Sequence, residues 1–165
     1  LVARRTNLET DAECILAAWW NLLTVDKAFM PSWRESKFPG GCAHAGELET
    51  SVYLYLDNDN VRKDQIKSGD ISFNLENNPF NYGDLFGSGP ANIISWTSSY
   101  SDTGVLGAAE LATAEKGKAA YEEAVKQLVR LVAWFKNRPK DQRKDRHRKP
   151  PSMPISWGQR PVKEE

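Results

Sequence analysis

Cysteine and histidine are scarce in this chain. Two cysteines, Cys14 and Cys42, stand in 165 residues, too few for a disulfide framework. Two histidines, His44 and His147, exclude a histidine-rich metal site built from this chain alone. Charge of one sign is also missing. Lys+Arg and Asp+Glu are both 22, a formal net charge of +0. The whole chain therefore has no electrostatic grip on nucleic acid or anionic lipid. No apolar run approaches the roughly 20 residues of a membrane span. The opening Leu1-Val2-Ala3-Arg4-Arg5 lacks the apolar core of a secretory signal. A cytoplasmic protein with no membrane or nucleic-acid partner is the expectation. What the chain has is apolar content of 40% and six tryptophans, enough for one packed domain.

The pattern mixes helix and strand. Leu1 to Leu8 reads as the end of a helix. Cys14-Ile15-Leu16-Ala17-Ala18-Trp19-Trp20 is a continuous apolar run and predicts a strand buried on both faces. Ala28 to Cys42, with Pro31, Pro39 and Gly40-Gly41, reads as a loop. Glu47 to Leu56 predicts a helix, with Leu48, Val52 and Tyr55 on one face and acidic residues in the first turn. Strands are expected at Asp70–Leu75 and Asn92–Thr97, separated by an Asn-, Gly- and Pro-rich loop. Ala108 to Lys136 is the strongest helix, with Leu111, Ala114, Tyr121, Val125, Leu128, Val132 and Phe135 in the 3.6-residue period. Pro139 ends it. From Lys136 to Lys149 the chain carries eight basic residues, and four prolines follow. The division is therefore 1–136 as the folded part and 137–165 as a basic, Pro-rich tail, with Trp157 as an apolar point for docking on a partner subunit. A nucleic-acid module built on this tail lacks the interleaved aromatics that stack on bases.

The residues suited to chemistry lie in Gly40-Gly41-Cys42-Ala43-His44-Ala45-Gly46-Glu47-Leu48-Glu49-Thr50-Ser51. Small residues flank an imidazole and two carboxylates at a predicted helix start, and small neighbours allow close approach to the backbone. His44 and Glu49, five apart across the junction, suit a proton shuttle and a metal ligand. A turn histidine and a helix-start carboxylate would share the same pattern. His147 belongs to the solvated tail.

His44 to Ser51 resembles the H-[AG]-G-x-x-E-T-S motif of the creatininase (creatinine amidohydrolase) family. The stretches Ala3–Thr10, Thr103-Gly104-Val105-Leu106-Gly107 and Ala112-Thr113-Ala114-Glu115-Lys116-Gly117 resemble segments of that family in the same order. The resemblance covers roughly Leu1 to Lys136. It implies an α/β chain forming part of a three-layer α/β/α fold. The activity it implies is hydrolysis of a C–N amide bond in a small, cyclic or formamide-type, non-peptide substrate. It implies divalent ions, zinc, manganese or iron, two per site. By resemblance His44 is the catalytic proton shuttle, Glu49 a metal ligand and Trp20 a substrate-pocket tryptophan. Gly40 stands where the family has a second pocket tryptophan, and Trp33 nearby is the candidate replacement. Glu47 matches a variable position.

The family's Glu-x-His, bridging aspartate and Asn-Gly-His ligands have no counterpart here. Three or more protein ligands are the norm for a catalytic metal. The expectation is a C-terminal half completed by a second polypeptide that supplies most ligands, in a hetero-oligomer of higher order. A non-catalytic scaffold subunit is the alternative.

Overall fold

Two helices pack face to face, and the candidate site lies at the start of the first of them. In the computed structural model, which describes residues 2–69, 79–99 and 101–139, the elements run in chain order. They are α1 (Val2–Glu9), α2 (Trp19–Leu22), α3 (Phe29–Trp33), β1 (Cys42–His44), α4 (Glu47–Leu56), β2 (Leu106–Gly107) and α5 (Ala114–Lys136). Short 3-10 turns at Asn58–Asn60, Lys63–Gln65, Thr97–Ser99 and Ala109–Leu111 join them. No described helix is long and apolar enough to cross a membrane.

α5 starts where Thr113 caps it. The Thr113 side chain accepts the Lys116 backbone N–H at 3.2 Å. Glu115 in the first turn and Lys136 in the last complement the helix dipole. The helix can approach α4 because residue 117 is glycine: a Cβ there would lie 1.9 Å from the Ser51 carbonyl oxygen. The core of Leu23, Trp33, Cys42, Leu48, Ala120 and Ala124 fills the space beneath, with Trp20, Phe29 and Val52 packed against it.

β1 and β2 pair antiparallel, with Cys42 opposite Gly107 and His44 opposite Leu106. The Gly41 carbonyl ties this ribbon to α4. It accepts from Ala108 N at 2.9 Å and from Glu47 N at 3.3 Å. Such convergence leaves no room at Gly46, where a Cβ would sit 2.3 Å from the same oxygen.

Three sequence expectations change here. Cys14–Trp20 is not a strand: residues 14–18 belong to no regular element and Trp19–Leu22 is helical. No strand lies beside it among the described residues, so the run has no ladder to join, and Ile15 and Leu16 are exposed. Asn92–Thr97 is likewise unpaired apart from the flanking Asn81–Ala91 bridge, and Ile93, Ile94 and Trp96 are exposed. The expected loop from Ala28 contains α3, whose Pro31 is its third residue. There a missing N–H costs nothing, because first-turn donors have no partner within the helix. The Asp70–Leu75 strand and the tail beyond Pro139, including Trp157, lie outside the described residues.

Candidate functional site

His44 ends β1 and Glu49 lies in the first turn of α4, so a tight turn joins them. Ala45 takes φ +50°, the left-handed region that costs a side-chain-bearing residue about 1 kcal/mol. Two side chains hold it there. Glu49 Oε2 accepts the Ala45 N–H at 2.6 Å, and the Thr50 hydroxyl donates to the Ala45 carbonyl at 2.9 Å. The same Glu49 oxygen lies 3.9 Å from His44 Nδ1, with the two side chains 40% and 63% exposed. That distance is an electrostatic approach and too long for a hydrogen bond. Glu49 Oε1 has no partner among the described residues.

Each position of the motif thus has a physical task. His44 presents an open imidazole. Gly46 makes room for the Gly41 carbonyl, Leu48 enters the core, and the Ser51 hydroxyl accepts Thr113 N at 3.2 Å. Glu47 is fully buried. Its carboxylate accepts Glu35 N at 3.0 Å, Ser36 N at 2.9 Å and the Lys116 ammonium. Burial alone would raise its pKa, but the hydrogen bonds from Lys116, Ser36 and Glu35 outweigh it and hold the carboxyl below its ordinary value. Lys116 moves the other way. Burial lowers it, and the bonds to Glu35 and Glu47 bring the net above the ordinary lysine value.

A second carboxylate, Asp84, holds the approach to β1. Its buried side chain accepts Arg34 in a two-point pair at 3.1 and 2.7 Å. It also accepts Gly40 N at 2.8 Å and Phe86 N at 3.2 Å. Sequence reasoning missed Asp84, Arg34 and Lys116, and set Glu47 aside as variable. Nothing local marks Arg34 or Asp84 as a pair, since they lie 50 residues apart in sequence, and Lys116 meets Glu47 across 69. The available signal was Glu47 itself, a carboxylate enclosed by small and apolar residues. Cys42 is buried beside it, and burial pushes the thiol up.

The two tryptophans take packing positions. Trp33 is buried, stacks on Phe29 and donates its indole N–H to the Lys116 carbonyl at 2.9 Å. Trp20 packs against the core edge-to-face with Trp19. Neither lines the cavity of about 780 Å3 that Glu49 borders.

A carboxylate and an imidazole are donors suited to zinc, manganese or iron. Here they number two, and among the described residues no group of three or more His, Cys, Asp or Glu side chains is placed to hold a metal ion. The pair fits one edge of such a site.

Comparison with known proteins follows the same line. The creatininase family, described as creatinine amidohydrolase, matches residues 1–132. The chain is similar to the mycofactocin precursor peptide peptidase of Mycobacterium tuberculosis, in strains CDC 1551 / Oshkosh and ATCC 25618 / H37Rv. Each is 34% identical over 107 residues, 65% of this chain and 38% of the relative. The chain thus spans about two fifths of the length of the curated relatives it matches. No solved structure matches it. With the family match running over residues 1–132, this chain belongs to the creatininase (creatinine amidohydrolase) family.

Proposed function

We propose that this chain is the His44-bearing part of a metal-dependent amidohydrolase that cleaves a C–N amide bond. The observation that carries the reading is the left-handed turn at Ala45, which sets an exposed imidazole 3.9 Å from a carboxylate with a free oxygen. Members of the family generally depend on divalent metal ions. In this reading Glu49 contributes one ligand, and a second polypeptide carrying the rest of the fold contributes the others. The bound ions would supply activated water and polarise the amide carbonyl.

This chain's own residues do the remaining work. His44, open to solvent, donates a proton to the departing nitrogen. Glu49 keeps the imidazole turned toward the site through its charge, while its bond to Ala45 N fixes the turn. Glu47 and Asp84 hold the loops on either side, so the pair does not drift as substrate enters. The relatives' name specifies a precursor peptide, so peptide amides join small amides as substrates to test.

In the purified assembly, His44→Ala should lower kcat by about 10²–10⁴ while assembly and metal content persist. Unchanged turnover would leave the scaffold reading, in which His44 and Glu49 only shape the turn.

A further inference from the structure

The cavity beside Glu49 lies between α4 and the turns that follow it, and its lining is divided. Val61, Ile66 and Val105 supply apolar lining, whereas Arg62 and Lys67 bring two cations. Both cations are exposed, and among the described residues neither has an ion-pair or hydrogen-bond partner. Hydroxyl donors add to them. Tyr53 lines the cavity, and Thr103 Oγ1 accepts Val105 N at 3.2 Å, which leaves its own proton to donate. The acids among the described lining residues are Glu49 and Asp64. Where Glu49 is committed to a cation, as proposed above, Arg62 and Lys67 outnumber Asp64 among the described lining residues. A guanidinium fork and a flexible ammonium lining one cavity suit a planar anion with two oxygens.

We propose that this cavity is the subsite for a free carboxylate on the substrate. The inference rests on the amidohydrolase reading and narrows its substrate class. The scissile amide lies at His44 and Glu49. The portion entering the cavity carries a carboxylate toward Arg62 and Lys67 and an apolar side chain toward Val61, Ile66 and Val105. Two sources offer that chemistry: an N-acyl amino acid and the C-terminal residue of a peptide.

The test is calorimetric titration of the purified assembly containing this chain. The probes are N-acetylleucine, N-acetylleucinamide, and a leucine-terminated pentapeptide as free acid and as amide. Each acid should bind at least about tenfold tighter than its amide, and the preference should fall as salt rises. Tighter binding of N-acetylleucine than of the peptide acid identifies the first source, and the reverse order the second. In the Arg62→Gln/Lys67→Gln double variant the acid-to-amide ratio should approach one, while Arg62→Lys should keep part of it. Equal affinity for acid and amide, no binding of either, or an unchanged ratio in the double variant would overturn the proposal. Selective acid binding without hydrolysis of any probe contradicts the amidohydrolase reading and leaves the subsite. Hydrolysis with equal KM for acid and amide does the opposite.

Discussion

Glu47 and Glu49 are two residues apart and do different jobs because one faces inward and the other outward. Glu47 is fully buried on Lys116 and two backbone N–H groups, so its loss leaves those two N–H groups without their acceptor and Lys116 with Glu35 as its remaining carboxylate. Glu47→Gln should cost about 1–3 kcal/mol, read by denaturant unfolding. The pH dependence has a definite sign. The folded pKa lies below the ordinary 4.5, so the stabilisation is fully present above that value and is lost as pH falls through the folded pKa. An acid limb that persists unchanged in Glu47→Gln would assign it to other carboxylates. Asp84 should behave differently from both glutamates. It touches neither His44 nor Glu49 but holds Gly40 and Arg34, so Asp84→Asn should loosen the approach to β1. The expected result is a lower melting temperature together with reduced turnover at an unchanged pH profile.

At the scale of elements, the contact of α4 with α5 decides the architecture, and Gly117 permits it. Gly117→Ala would place a methyl group against the Ser51 carbonyl and should destabilise by about 1–3 kcal/mol, although alanine is the better helix former. Thr113→Ala, which removes only the cap, should cost about 1 kcal/mol. Thermal melts of the two variants compare packing with capping directly, and a neutral or stabilising Gly117→Ala would contradict the close contact.

The same elements show what could be read from sequence. Glu47–Leu56 was legible to the residue, because a first-turn acid pair and an Asp-Asn stop bracket it. The last helix was legible in its body and its end, but Ala108–Thr113 proved a 3-10 turn and a cap. Its apolar stripe is the open side of the helix. The buried side holds Gly117, Ala120, Glu123, Ala124 and Gln127, while Tyr121, Val125, Leu128 and Val132 are exposed. Periodicity locates an apolar stripe but does not say which neighbour meets it. The strand expectations at Cys14–Trp20 and Asn92–Thr97 failed for a related reason, since a strand exists only with a partner ladder. Of the candidate site, His44 and Glu49 came from the motif. The anchors Asp84, Arg34 and Lys116 act through long-range contacts that local patterns do not carry.

At the scale of the whole molecule, a large apolar surface stands open. Val125, Leu128, Val129 and Val132 on α5, with Leu16, Ile94 and Trp96 elsewhere, are exposed. With a donor set that reaches two among the described residues, this surface supports our proposal that a second polypeptide completes both fold and site. Residues 1–165 expressed alone should associate or precipitate, as read by light scattering; a soluble monomer with a cooperative melt would count against the split enzyme. The most direct measurement joins metal to chemistry: elemental analysis of the purified assembly containing this chain, wild type against Glu49→Gln, with amide hydrolysis followed in the same samples. The account predicts divalent metal in the wild type, and in Glu49→Gln the loss of metal together with most of the activity. Full metal content and full turnover in Glu49→Gln would contradict it.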